Sequence, residues 1–426
     1  MPPGAACPLP ARRLLDEPEV TGAIKERDED FLVEELPLYQ PSGEGEHVYL
    51  FVQKQGLAHS ELIHHLARHF KVRPSAIGCA GMKDRRAITR QMVSIHLPGR
   101  EPGSVDPRHK SIQVLWSSRH HNKLRRGHLL GNRFSIRIRE TDRLKAPAVL
   151  RRLRELERSG LPNYYGYQRF GYRLNTHRLG ALLLKERWED LLSELLGARG
   201  SSFPERQAEG RRQFDAGMLK ESLATWSRNE QAERKALGAL IAGRTPREAV
   251  LSIGRPLLAF WSSALQSGIF NRVLDRRIEE GTLDQVRIGD VALRHDSRRQ
   301  FICHAEQFEA ADFPEDVASF QVSATGPMWG RHMLRPFGTT LDDEVSALGA
   351  FDCGIEELES SDFIERGTRR PLRVPVTNVE IDSGVDNSGS YIRTAFDLPR
   401  GAYATVLLRE LISGVDPSPG AEPPAE

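Results

Sequence analysis

The chain has 426 residues, with 60 Lys and Arg against 58 Asp and Glu, so its formal net charge is only +2. Taken whole, that balance speaks against a polyanion-binding protein, while 39% hydrophobic and 28% charged residues exclude a wholly disordered chain. No stretch approaches the roughly 20 apolar residues of a membrane helix, and the first residues lack the apolar block of a secretory signal.

In chain order, residues 1–20 are rich in Pro and poor in apolar side chains and are expected to be disordered. Segment 47–54 alternates, with Val48, Leu50 and Val52 on one face and Tyr49 and Phe51 on the other. Two apolar faces predict a strand covered on both sides. Ser60 is the expected N-cap of a helix over 61–72, whose Leu62, Ile63, Leu66, Ala67 and Phe70 share one face. Segment 133–139 predicts a strand with Phe134, Ile136 and Ile138 inward and the guanidiniums of Arg133, Arg137 and Arg139 outward. Residues 148–159 are helical by pattern, and 178–196 and 219–240 read as long amphipathic helices. Short strands are expected at 290–294 and 300–304, β pattern returns at 372–379 and 391–397, and a helix at 403–412 precedes a Pro-rich tail, 414–426. Sheet-forming ends around a helical middle predict an α/β (α+β) chain: a split domain over 21–165 and 371–413, with an insertion at 166–370.

The charge is unevenly spread. Residues 108–139 hold nine Lys or Arg and no carboxylate; residues 336–365 hold nine Asp or Glu and no Lys or Arg. The basic window suits a phosphate backbone or a solvated face, and the acidic one reads as a solvated helix face. Cys7, Cys79, Cys303 and Cys353 are scattered, with no C-x-x-C pair. A reducing cytoplasm is therefore expected, with neither a disulfide framework nor a cysteine zinc site.

Within Gly78-Cys-Ala-Gly-Met-Lys-Asp-Arg-Arg-Ala-Ile-Thr-Arg-Gln91 one carboxylate, Asp84, stands among Lys83, Arg85 and Arg86. Such a group is either an ion-pair hub or a nucleophile or base kept charged by its neighbours. A phosphate loop is excluded, because Asp84 occupies the hydroxyl position after the lysine. The run Gly43-Glu-Gly-Glu-His47 offers metal-ligating types, but neighbours in one turn seldom converge on an ion, and no metal is expected. Asn132 can read a base edge, and Phe134 fits a core position and a base-stacking one equally. Segment 161–171 holds four aromatics and Arg169, which suits a rigid aromatic turn or RNA stacking.

These segments, in order, resemble the TruD family of tRNA pseudouridine synthases. The resemblance rests on Gly22-Ala-Ile-Lys25, Glu29-Asp-Phe31, Gly43-Glu-Gly-Glu-His47, Ala80-Gly-Met-Lys-Asp-Arg-Arg-Ala-Ile-Thr-Arg-Gln91, Asn122-Lys-Leu-Arg125, Gly131-Asn-Arg-Phe134, Pro162-Asn-Tyr-Tyr-Gly-Tyr-Gln-Arg-Phe-Gly171 and Leu398-Pro-Arg-Gly-Ala-Tyr-Ala-Thr405. It implies a pseudouridine synthase domain with a mixed, mainly antiparallel sheet and an inserted, largely helical TRUD domain. It also implies isomerisation of a uridine in the D-arm region of tRNA, position thirteen in bacterial members, without a cofactor. By the family's motifs Asp84 is the catalytic aspartate and Lys25 its basic partner. Phe31, Asn132, Phe134 and Tyr403 are substrate-binding; Tyr403 stands where Phe is common. Lys123, Arg125 and Arg126 are the expected phosphate contacts. The segment near 193–217 is longer than in the shortest members. The expected partner is tRNA, with no membrane and no protein partner, for a cytoplasmic monomer.

Overall fold

In the computed structural model, which describes residues 6–364 and 366–414, the chain opens with β1 (Phe31–Pro37), β2 (His47–Gln55), α1 (His59–Phe70), β3 (Ile77–Cys79), β4 (Ile88–His96), β5 (Ile112–His120), β6 (Leu129–Ile138) and α2 (Ala146–Ser159). Next come α3 (Thr176–Leu184), α4 (Trp188–Leu196), α5 (Ala208–Asp215), α6 (Leu219–Thr225), α7 (Gln231–Ile241), α8 (Pro246–Ser252) and α9 (Arg255–Glu279). Then follow β7 (Val291–Arg294), β8 (Gln300–Ile302), α10 (Ala305–Glu309), α11 (Phe313–Ala318), β9 (Val322–Met328), α12 (Thr339–Gly349), α13 (Ile355–Ser360) and β10 (Thr368–Pro371). The last elements are β11 (Thr377–Asp386), β12 (Gly389–Pro399) and α14 (Ala404–Leu411). Among the described residues no helix is long and apolar enough to cross a membrane.

Residues 15–161 and 374–414 form one compact unit, and 6–14 with 162–373 form the other. The breaks fall at 161/162 and 373/374, where the sequence suggested 165/166 and 370/371. The reason is the aromatic segment after Leu161. Tyr164 donates its hydroxyl to Asp275 at 2.6 Å, the Tyr165 amide donates to Asn271 Oδ1 at 2.9 Å, and both acceptors lie on α9. That segment is thereby tied into the helical unit.

The first unit is built on an eight-stranded sheet in the order β11-β12-β6-β1-β4-β2-β5, with β3 also on β4. All pairings are antiparallel except β1 with β4. Val48, Leu50, Val52, Val93 and Ile95 pack beneath Leu62, Leu66 and Phe70 of α1. Burying each such side chain contributes roughly 1.5–3 kcal/mol. The other face of β2 is also covered, since Tyr49 packs with Ala80, Met92 and Leu124. The helix begins at His59, one residue before the expected cap. Glu61 folds back to accept the Ala58 amide at 2.8 Å, and this satisfies an N-terminal donor without Ser60.

The sheet divides along β4. β1 pairs only with Leu32↔Ile88 to Glu34↔Arg90, and β3 takes up the same edge at Cys79↔Val93. Between them the Met92 amide has no strand partner. It donates instead to Glu35 Oε1 at 3.3 Å, a reason for a buried carboxylate at that place.

Three expectations fail here for identifiable reasons. The guanidiniums of 133–139 are not free for phosphate. Arg133 pairs with Asp397 at 2.9 Å and Glu380 at 2.6 Å, Arg137 with Asp386 at 3.4 Å, and Arg139 with Asp30 at 2.6 Å and Asp386 at 2.7 Å. Their partners on β11 and β12 are 247 to 264 residues distant in sequence, so local counting missed them. Residues 1–5 and 415–426 lie outside the described residues, but 6–20 are not the expected disordered end. The amides of Ala11 and Arg12 donate to Asp275 at 2.9 and 3.0 Å, Asn271 donates to the Pro8 carbonyl at 2.8 Å, and Val20 is buried. Nor is the acidic window all solvated: Glu344 is fully buried against Arg369, which bonds both its oxygens at 2.6 and 2.9 Å.

The second unit is helical around a small four-stranded sheet, β10-β9-β7-β8. Leu179, Leu183, Leu192, Leu196, Trp226, Leu237 and Trp261 form its core. Each long helix expected from the sequence is two. The first breaks at 185–187, where Glu186 has φ 54°; the second breaks at Trp226, which turns inward at 4% exposure.

His177 on α3 lies edge-on to Phe170 and Phe351, and burial pushes its imidazole down to about 4 from an ordinary 6.5. The folded value lies below the unfolded one, so its contribution is complete above pH 6.5 and is lost as pH falls toward 4. His177→Phe is therefore expected to reduce the stability lost between pH 7 and 5 by about 2 kcal/mol, read from urea midpoints at the two pH values. Parallel losses in variant and wild type would refute this origin.

Candidate active site

The β1–β6, β2–β4 and β6–β12 registers place Glu35 opposite Asn132, Val33 opposite Phe134, Lys54 opposite Thr89 and Phe396 opposite Phe134. Residues directly opposite share a face. One face of the sheet therefore carries Phe31, Glu35, Lys54, Asn132, Phe134 and Phe396, and the loop between β3 and β4 brings Asp84 to it.

Asp84 Oδ2 accepts from Lys25 Nζ at 2.6 Å, with side-chain exposures of 47% and 23%. Lys25 is held before β1 by two bonds between Ala23 and Arg139, at 2.8 and 3.0 Å. Gly22 allows that approach, since a Cβ there would lie 2.4 Å from Ile138 Cγ2. Lys25 itself has φ 59°, a left-handed conformation that a non-glycine residue adopts at a cost of order 1 kcal/mol. A half-exposed ion pair returns roughly 0–1 kcal/mol. The pair does not repay its geometry in stability, which favours a functional role.

The backbone of the loop is anchored from below by Lys54. Its side chain is fully buried, and its ammonium donates to the carbonyls of Leu57 and Asp84, each at 2.7 Å. Burial pushes this ammonium down to about 8. Beside it, Lys83 Nζ meets Glu35 Oε2 at 3.4 Å and donates to Asn132 Oδ1 at 2.5 Å. Burial raises the Glu35 carboxyl and lowers the Lys83 ammonium, and their mutual attraction opposes both shifts. Cys79 is no alternative nucleophile, because burial pushes its thiol up to about 12.

An aromatic wall adjoins the carboxylate. Lys25 Nζ lies 4.2 Å from the Phe31 ring centroid, Phe31 meets Phe134 edge-on at 6.3 Å, and Phe134 stacks on Phe396 at 5.5 Å. Phe134 is only 7% exposed, so it is wall and core together. Tyr403 immediately precedes α14. Three residues earlier Arg400 donates to the Gly127 carbonyl, and the Gly127 amide donates to Ala80 at 2.8 Å, at the start of the Asp84 loop. Arg125 and Arg126, in the same turn as Gly127, are exposed, whereas Lys123 is partly buried and donates to the Ser75 carbonyl. Among the described residues no group of three His, Cys, Asp or Glu is placed to hold a metal. His47 stacks on His96 at 4.6 Å, and Glu44 and Glu46 reach separate histidines.

A family model described as tRNA pseudouridine synthase D (TruD) matches residues 12–411. The chain belongs to the TruD family. The tRNA pseudouridine synthase D of Geotalea daltonii is 37% identical over 398 residues, covering 93% of this chain and 97% of that protein. That of Geobacter sulfurreducens is 37% identical, covering 93% and 95%. A crystal structure from Methanosarcina mazei assigned to TruD aligns with a TM-score of 0.79 at 25% identity, covering 96% of each chain.

Within this TruD chain the structure gathers Asp84, Lys25, Phe31, Asn132 and Phe134 on one face, and Arg125 and Arg126 stand in the neighbouring turn. Sequence reasoning passed over Lys54, Glu35 and Phe396. Lys54 carried a signal, since it is a lysine in a strand whose remaining residues read as buried. Glu35 and Phe396 carried none, because their roles depend on partners far away in sequence.

Proposed function

We propose that this TruD-family protein isomerises a uridine of tRNA to pseudouridine, at position thirteen in the D-arm region, with Asp84 as nucleophile or base. The observation that carries the reading is the half-exposed Asp84 carboxylate, bonded to Lys25 and set beside the Phe31–Phe134–Phe396 cluster. The reaction breaks the bond from C1′ to N1 and forms one from C1′ to C5. The proton on C5 leaves and N1 gains one, so nothing is oxidised or lost and no cofactor is required. One charged carboxylate suffices as nucleophile or base. A uridine must leave its stack to reach it, and an aromatic wall retains the detached base. The unit of residues 15–161 and 374–414 is the catalytic domain in this reading, and 162–373 is the insertion. The protein acts in the cytoplasm as a monomer.

Arg125 and Arg126 supply phosphate contacts beside the loop. Replacing both by Gln is expected to weaken tRNA binding and to lower the slope of log K against log salt by about 1.5. Lys123→Gln is expected to change the slope less, because its ammonium already serves Ser75. A double variant with the parental slope would remove these residues from the RNA interface.

The deciding experiment is carbodiimide primer-extension mapping of tRNA from cells that lack the protein and from cells that regain it. A stop that returns at position thirteen supports the assignment. A stop elsewhere corrects the position, and no returning stop overturns the activity. Mass alone is uninformative, since isomerisation conserves it.

A further inference from the structure

The hydrogen bond between Lys83 and Asn132 has a direction. An ammonium carries donors only, so the amide atom that meets it is oxygen. Asn132 is held with Oδ1 toward Lys83 at 2.5 Å, and its Nδ2 group, with two hydrogens, has no protein acceptor among the described residues. The side chains of Lys83 and Glu35 are 6% and 1% exposed, against 47% for Asp84, the next residue in the loop. A buried ion pair is a poor stabilising device, because apolar residues of like volume often serve as well. Glu35 stands directly opposite Asn132 in the β1–β6 register, so the pair is built where the amide must be aimed.

We propose that Lys83 is a positioning residue that fixes the Asn132 amide with its N–H groups toward the target base, so that the site accepts the C4 carbonyl of uracil and rejects the C4 amino group of cytosine. This rests on the pseudouridine synthase reading. Glu35 is the counter-charge that keeps Lys83 in place, and it also accepts the orphan Met92 amide. Uracil presents an acceptor at C4 and cytosine a donor. A donor facing a donor leaves both unpaired, and sites that require a particular hydrogen bond discriminate steeply. With Lys83 gone the amide can turn over, and its oxygen can then accept from cytosine.

The test uses the full-length protein and transcribed tRNA carrying either uridine or cytidine at the target position. Wild type, Lys83→Met, Asn132→Ala and the double variant are compared in pseudouridine formation and in competitive binding. Lys83→Met is expected to lower kcat/KM at least about tenfold and to reduce the preference for uridine over cytidine in binding by about tenfold. In the Asn132→Ala background it should add little, because the two act as one unit. Glu35→Gln, made on a different strand and still able to accept from Met92, should shift discrimination in the same direction. Additive losses, or unchanged discrimination in both Lys83→Met and Glu35→Gln, overturn the proposal. A wild type that makes no pseudouridine overturns the functional reading instead; the binding competition, which needs no turnover, still decides the amide's orientation.

Discussion

Asp84→Asn is expected to lower pseudouridine formation by about 10³-fold or more while leaving tRNA affinity within about fivefold of wild type. Asn matches Asp in size and keeps an oxygen for Lys25, so the loop has no steric reason to move. What is lost is the charge, and with it the nucleophile or base. The affinity should hold because the Lys25–Asp84 contact is half exposed and contributes little binding energy of its own. Removing a negative charge from an RNA-facing site can only favour the polyanion. Single-turnover assays with saturating enzyme separate the two effects. Full turnover in the purified variant would place the isomerase residue elsewhere, and the catalytic assignment of Asp84 would be withdrawn.

Lys54→Met is the second large effect, and it comes from a residue that touches no substrate. The ammonium is fully buried and donates to the carbonyls of Leu57 and Asp84. Met fills the space but donates nothing, so two carbonyls lose their donor at roughly 1–3 kcal/mol each, less the relief of no longer burying a charge. The Asp84 backbone is then free to shift, and a displacement of about 1 Å costs on the order of 10²-fold in rate. Both a fall in kcat and a lower urea midpoint are expected. Lys25→Met should lower kcat without the loss of stability, because that pair is exposed. If Lys54→Met retains wild-type kcat, the loop is positioned by something other than this ammonium.

Much of the site was legible because its residues lie in short contiguous motifs. The Asp84 loop and the strand holding Phe134 could be read from spacing and residue type alone, whereas Asn132 fell one residue before the expected strand and inside the observed one; family resemblance supplied their roles. Lys25 was legible only through that resemblance. The misplacements have a common cause. Arg133, Arg137 and Arg139 looked like a basic face, and their acidic partners arrive from β11 and β12. Glu344 looked like part of a solvated acidic face, and its partner Arg369 comes from β10. Residues 6–14 looked too polar and Pro-rich to order, and they are held through Asp275 and Asn271 on α9.

The near-zero net charge shows where the division lies. By itself the sequence determined that the balance is a cancellation of two opposed windows, that Asp84 stands among cations, and that the ends of the chain form sheet around a helical middle. These are local facts, set by composition and by periods of two or 3.6 residues. Only the tertiary structure decided which charges remain free. It neutralised the guanidiniums of β6 and left Arg125 and Arg126 exposed. It turned Lys54 and Lys83 inward beneath the carboxylate, and it aimed the Asn132 amide through the Glu35 register. Pairings between strands and loops distant along the chain make those choices, because an ionic group's free energy depends on what surrounds it in space.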